Sequence, residues 1–350
     1  MTSFDSLPPE LVYRIMELAV ETLPPSLRIR SEILLNFSLV NGRSWREPAQ
    51  LLLESRVQID SYSKAKMYIE RERRLERETI IIEELQIFFD FVNPEEDEFY
   101  PLTDWILRSF LEKDVIVRSL HLRSALFVNA FDTSLLCLPS FRELRHLRLE
   151  LPIETPTGVS PLPVSLSRLS VSEMMDQPLE LFRWLLSSSQ ESLVHLDVFT
   201  IKGGSPLHKR VLEVVPSLPR ILRHLSISSH WISLPETLLH LVTSCQNLLT
   251  LSLSGIDFSQ VLHLATTIRS PHLTVFDFAI PSHFSWSEED ARATIDHLLR
   301  LPSFSRVREI SIVQRLDSKK PGVSPTRLEE FRGQQICKCT WERTLRRALP

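Results

Sequence analysis

The residues best placed to do chemistry are histidines, arginines and one carboxylate that recur at matching places along the chain. His121, His146, His195 and His224, with Arg148, Arg168 and Asp197, each occupy a polar slot inside a six-residue phrase of the form apolar-x-x-apolar-x-apolar. His195 and His224 hold the same slot in successive phrases, so in neighbouring strands they stand about 4.8 Å apart. Paired imidazoles invite a metal site or a pH-sensitive contact. A metal centre needs further ligands and a supporting shell, and the slots offer no cysteine and only Asp197 as an adjacent carboxylate, so no metal is assigned. Arg148 and Arg168 suit contacts to an acidic or phosphorylated segment, because a guanidinium engages such groups with two parallel N–H donors.

Other chemistries leave no trace. Neither GxSxG nor HExxH occurs, and the phosphate-cradling patterns GxGxxG and GxxxxGK[ST] are missing too. With 7 Gly against 23 Pro, the chain lacks the residue that lets backbone approach a phosphate. Cys137, Cys245, Cys337 and Cys339 are too irregular for a disulfide framework, and Cys337-Lys338-Cys339 reads as a structural pair without metal partners. The chain therefore reads as a binding protein with no cofactor and no bond chemistry of its own.

Bulk properties agree. At 350 residues, a large domain plus a small one is the natural expectation. The 40 Lys+Arg against 44 Asp+Glu leave a net charge of −4, which recommends neither nucleic acid nor an anionic membrane. Asp5, Glu10 and Glu17 do not fit a secretory leader, and no apolar run approaches the roughly 18 residues of a membrane span. A reducing compartment follows, cytoplasmic or nuclear.

The phrases that hold these side chains number nine, centred on Leu85, Leu120, Leu147, Leu169, Leu196, Leu225, Leu251, Phe276 and Ile310, at steps of 22 to 35 residues. Helical stretches such as 179–187, 207–215, 235–245 and 287–301 lie between them. Most steps fall near the period of a leucine-rich repeat, whose strands stack in parallel under covering helices. Alternation then sends two polar columns to the concave side of the sheet. One runs Glu84, Ser119, His146, Arg168, His195, His224, Thr250, Val275 and Glu309; the other runs Gln86, His121, Arg148, Ser170, Asp197, Ser226, Ser252, Asp277 and Ser311. The asparagine that normally ladders the turn after each phrase is absent, since Glu150-Leu151-Pro152 and Ser254-Gly255-Ile256 stand there.

Ahead of the array lies a different pattern. Pro8 and Pro9 suit a helix start, and Leu11, Ile15, Leu18 and Ala19 follow at the spacing of one apolar stripe. Residues 31–40 and a segment carrying Trp45, Ala49, Leu52 and Leu53 make two further helices, with Asn41-Gly42 as a stop between them. Three helices this short bury little, so some apolar surface awaits a partner. Leu7-Pro8-x-Glu10-Leu11-x-x-x-Ile15 and Leu39-Val40-x-x-x-x-Trp45-Arg46 resemble the opening and closing of the F-box, a three-helix motif of about fifty residues that in its family docks on the Skp adaptor of cullin-RING ubiquitin ligases. The resemblance implies that Leu7, Pro8, Leu11, Ile15, Leu39, Val40 and Trp45 face the adaptor or support that surface. Asn41 departs from the family, where cysteine is frequent.

The expected organisation is an F-box over 1–58, a linker helix over 59–77, a leucine-rich-repeat-like solenoid over 78–317 and a C-terminal cap over 318–350 built of a loop and one or two helices. The fold class is α/β, a three-helix F-box followed by an irregular solenoid with a parallel concave sheet. The whole resembles the F-box/leucine-rich-repeat substrate receptors, in which the F-box binds a Skp-type adaptor, and through it a cullin, while the repeats hold a protein substrate. On this reading His121, His146, Arg148, Arg168, His195, Asp197 and His224 contact that substrate. The alternative is a repeat scaffold that binds proteins without any role in ubiquitination.

Overall fold

The structure, a computed structural model, describes the chain except residues 1–6, 22–26, 41, 75–78, 89–106, 110–113, 124–130, 152, 155–159, 173–178, 201–206, 230–235, 257, 281–287, 318–326, 333–334 and 345–350. It is α/β, and its contacts divide it into two compact units, Met1–Glu154 and Thr155–Pro350.

The first unit opens with three helices, α1 (Pro9–Glu21), α2 (Leu27–Val40) and α3 (Gly42–Glu54). The Pro8 carbonyl accepts from Leu11 N and Val12 N, satisfying amides that the first turn leaves without a partner. Gly42 was read as part of a stop, yet it opens α3. The three helices close on one core of Val12, Met16, Val20, Leu34, Ala49 and Leu52, with Leu7, Tyr13, Phe37, Trp45 and Leu53 packed around it.

Strand β1 (Arg56–Ile59), helix α4 (Tyr62–Arg74) and strands β2 (Thr79–Ile82), β3 (Glu84–Phe88), β4 (Asp114–Val117), β5 (Ser119–Arg123), β6 (Phe131–Asp132), β7 (His146–Glu150) and β8 (Ile153–Glu154) follow. β1, β3, β5 and β7 pair side by side in parallel. β2 with β4 and β6 with β8 form two small parallel pairs. The sheet thus begins with a strand that straddles the expected boundary between the F-box (1–58) and the linker helix (59–77). Arg30 of α2 reaches Glu84 of β3 at 3.4 Å, and Gln86 donates to the same carboxylate at 2.9 Å, so polar contacts tie the helices to the sheet.

The second unit repeats a strand-helix theme through β9 (Arg168–Ser172), α5 (Leu179–Leu186), β10 (His195–Thr200), α6 (Leu207–Val214), α7 (Leu218–Ile221), β11 (His224–Ser229), α8 (Glu236–Ser244), β12 (Thr250–Ser254), α9 (Phe258–Thr267), β13 (Val275–Ile280), α10 (Glu288–Leu299) and β14 (Glu309–Asp317). These strands pair in sequence order and in parallel. Parallel neighbours need a crossover, and the helices supply it.

Every apolar position of the nine phrases is at most 2% exposed, which makes the phrases the core itself. At roughly 1.5–3 kcal/mol for each buried aliphatic or aromatic side chain, these positions are a large share of the burial that stabilises the strands. Backbone chemistry fixes the register. The second residue of a phrase turns its carbonyl to two successive amides of the next repeat: Ser167 accepts from Val194 N and His195 N, Val194 from Arg223 N and His224 N, Arg223 from Leu249 N and Thr250 N. Leu249 and Thr274 continue the series, and Ser55 and Arg118 do the same in the first unit.

The missing asparagine ladder has a substitute at the residue just before a phrase. Ser165 Oγ donates to the Ser188 carbonyl at 3.1 Å, Ser192 Oγ to the Leu166 carbonyl at 2.7 Å, and Asn247 Nδ2 to the Arg220 carbonyl at 2.6 Å. Short polar side chains there reach main chain of the adjoining repeat and satisfy carbonyls that the turns would otherwise leave open.

The C-terminal segment corrects an expectation. Capping helices were expected after residue 318, whereas the segment forms strands β15 (Arg327–Arg332) and β16 (Gln335–Thr344). β16 joins β14 in parallel and β15 pairs antiparallel with β16. Cys337, Cys339 and Trp341 alternate with Lys338, Thr340 and Glu342, a period of two that favours strand over helix. Cys337 and Cys339 lie in register with Ile310 and Ile312.

Candidate functional site

Two surfaces carry the residues singled out from sequence. The first is on the three helices. The stripe Leu11, Ile15 and Leu18 points outward, at 53%, 44% and 45% exposure, while the core face of α1 is the adjoining row Val12, Met16 and Val20. One helix thus holds two apolar rows, and Arg14, Glu17 and Glu10 occupy the remaining side. On α2 the arrangement repeats, with Leu34 buried and Leu35 and Leu39 exposed, Leu39 to 81%. Leu35 was not singled out from sequence. Its signal was legible, since Leu35 and Leu39 are one turn apart and both differ in phase from Leu34.

The remaining helical candidates divide by role. Pro8 is exposed and caps α1, whereas Leu7 and Trp45 pack against the core. Trp45 stacks on Phe37 with centroids 5.7 Å apart, so it supports the helices from within. Val40 ends α2, and its side chain lies outside the described residues.

The second surface is the polar face of the strands. Within each unit the expected columns are the observed register: Ser119 beside His146 in the first, and Arg168, His195, His224, Thr250, Val275 and Glu309 in successive strands of the second. In the second unit Asp197 organises the site. Its Oδ2 accepts from Arg168 Nε at 3.1 Å and Nη2 at 2.8 Å, and its Oδ1 lies 2.9 Å from His195 Nε2. Strand alternation places His195 and Asp197 on one face, and the parallel register brings Arg168 from the next strand. The His195 and His224 rings stack at 5.3 Å.

Charges follow from this packing. Burial pushes the Asp197 carboxyl upward, but the His195 hydrogen bond and the charges of His195 and Arg168 outweigh it and hold the group below the usual carboxylate range. Burial lowers His224, and the neighbouring charges of His195, Arg168 and Arg223 lower it further. His224 therefore resists taking up a proton.

In the first unit Glu150 plays the corresponding part. Arg148 donates to it through Nε at 2.6 Å, Arg123 Nε stands 3.4 Å away, and His121 Nε2 is at 3.5 Å, the limit of hydrogen-bonding range. Burial again opposes the charge, yet His121 and Arg148 bring Glu150 down to about 2. Arg123 also lies over the Phe88 ring, 5.9 Å from its centroid. Reasoning from sequence missed Glu150 because it counted two columns. A third follows two residues on, with Phe88, Arg123 and Glu150 in register in one unit and Ser228 and Ser254 in the other, where the hydroxyls meet at 3.0 Å.

Arg148 and Arg168 thus already hold carboxylates of their own chain. An acidic partner meets them only in competition with Glu150 and Asp197. His146 is exposed, next to Ser119 in register. Among the described residues no group of three or more His, Cys, Asp or Glu side chains is disposed to hold a metal ion, and no helix is long and apolar enough to cross a membrane.

With the geometry in hand, the class defined is an α/β chain of parallel strand-helix repeats whose first unit carries a three-helix bundle. No protein-family model matches the chain, and no curated protein matches it.

Proposed function

We propose that the protein is the substrate-recognition subunit of a cullin-RING ubiquitin ligase, an F-box/leucine-rich-repeat receptor. Its F-box docks a Skp-type adaptor, and the polar face of its repeats holds a protein substrate in the cytoplasm or nucleus. The observation that carries this reading is the outward apolar side chains of α1 and α2, Leu11, Ile15, Leu18, Leu35 and Leu39. The bundle already has a complete core without them, and solvent-facing rows of this kind on adjacent helices mark a protein-docking surface. The resemblance of Leu7-Pro8-x-Glu10-Leu11 with Leu39-Val40-x-x-x-x-Trp45-Arg46 to the F-box supports a Skp-type adaptor as the partner of such a surface.

The reading makes the chain a carrier and not a catalyst. Substrate contact then falls to His121, His146, Arg148, Arg168, His195, Asp197 and His224 on the strands. Pull-down of a recombinant Skp-type adaptor by the full chain tests it. Retention by the wild type and loss in Leu11→Asp with Leu39→Asp is the expected result; wild-type chain that fails to retain the adaptor leaves a protein-binding scaffold with no place in ubiquitination.

A further inference from the structure

One concavity in the second unit is lined by none of the residues of the polar strand columns and has a chemistry of its own. The last turn of α8 contributes His240, Thr243 and Ser244, the turn before β12 contributes Asn247, and the turn before β13 contributes Arg269 and His272. The cleft measures about 730 Å³, and among the described residues no carboxylate lines it. That volume is within the ordinary range for small-ligand sites.

Local hydrogen bonds decide what the lining offers. Thr243 Oγ1 and Ser244 Oγ donate to the His240 carbonyl at 3.0 and 2.7 Å, so both hydroxyl protons are spent on the helix. Ser244 Oγ also stands 3.4 Å from His240 Nδ1, and with its proton committed it receives a hydrogen from the ring. His240 Nε2 is thereby the ring atom left over, an acceptor in the neutral ring and a donor to an anion only in the protonated one. Asn247 is anchored through one amide proton on the Arg220 carbonyl at 2.6 Å, which keeps its second proton free. Arg269 is exposed and has no hydrogen bond or ion pair among the described residues. Arg148 and Arg168 on the sheet face, by contrast, are each held by a carboxylate.

A guanidinium without a counter-charge among the described residues, two imidazoles and an amide donor, with no acid among the described lining residues, select an anion. These groups arrive from three chain segments. They can therefore meet different oxygens of one tetrahedral group, where a planar carboxylate fills only one guanidinium fork. The volume leaves room for a carrier attached to the anion. We propose that this cleft binds a phosphate monoester, with Arg269 as its anchor and His240, His272 and Asn247 completing the contacts. The proposal stands independently of adaptor docking.

Calorimetric titration of the full chain at about 0.1 M salt tests it, using a phosphoserine hexapeptide, its unphosphorylated twin, glucose 6-phosphate and inorganic phosphate. At least one phosphate ester is expected to bind with a Kd below about 1 mM, while the unphosphorylated peptide does not. Arg269→Gln should weaken binding tenfold or more, and Arg269→Lys should restore part of it, because the charge returns without the fork. Arg183→Gln, which removes an exposed charge on α5 away from the cleft, should change nothing. Preference for the peptide or the sugar phosphate tells whether the phosphate is borne by a protein or by a small molecule. The assignment is overturned if no ester binds, or if Arg269→Gln matches wild type, or if Arg183→Gln weakens binding as much. Unchanged circular dichroism and Tm in the variants keep each of these results interpretable.

Discussion

Replacing Glu150 by Gln keeps the shape of the side chain and removes the charge that Arg148, Arg123 and His121 surround. The carboxyl sits at about 2 against an ordinary value of 4.5. Taken at face value, that difference is roughly 3 kcal/mol of folded-state preference for the ionised form. Arg148 and Arg123 are about half exposed, so solvent screens much of it, and about 1–2 kcal/mol is the expected loss at pH 7. The sign follows from a lowered value: the contribution is complete above about pH 4.5 and disappears as pH falls from there towards about 2. Hydrogen exchange at the buried β5 and β7 positions Leu120 and Leu147 reads the first unit directly. The variant should exchange faster at pH 7, and comparison of urea midpoints should show the gap closing as pH falls below about 4.5. Equal protection at pH 7, or a gap that widens in acid, refutes the assignment of Glu150 as the centre of that cluster.

Other consequences concern packing. Phe276 is fully buried and meets Phe304 edge-on at 5.0 Å, so Phe276→Ala should cost about 3–5 kcal/mol in chemical denaturation of the second unit. Ser192→Ala leaves the Leu166 carbonyl without its side-chain donor; a loss of about 1–2 kcal/mol should appear as a lower thermal midpoint. On α1, Met16→Ala should destabilise by about 2–5 kcal/mol, whereas Leu18→Glu, one row away, should leave the denaturation midpoint almost unchanged. His224 is lowered by burial and by neighbouring charge, so its neutral form is part of the folded state; stability of the second unit should decline as pH falls below the ordinary imidazole range, and His224→Gln should blunt that decline.

Much of this was legible in sequence, for a physical reason. A strand buried on one face must repeat its apolar residues with period two, and a stacked repeat must present them in every copy. Leu193-x-x-Leu196-x-Val198 and its counterparts therefore announced both core and register. Carbonyls such as Val194 fix that register, although backbone bonding has no signature in residue type. Side chains just outside the phrase were harder to place. Glu150 follows the last apolar position by one residue, and whether the strand extends that far depends on pairing with Arg123. Ser165, Ser192 and Asn247 look like ordinary turn residues until the adjoining repeat's carbonyls appear beside them. On α1, Leu11 and Val12 are both apolar, and composition alone does not say which row the other helices cover. In the C-terminal segment, expected as a loop and one or two helices, the alternation around Cys337 and Cys339 is that of a strand.

A receptor function requires a partner that covers Leu11, Ile15, Leu18, Leu35 and Leu39. Calorimetry of the full chain with a recombinant Skp-type adaptor measures this directly. Micromolar or tighter binding is expected for wild type, with at least a hundredfold loss in Leu11→Asp with Leu39→Asp at an unchanged thermal midpoint. Wild-type chain that does not bind, or a double variant that binds equally well, contradicts the receptor reading.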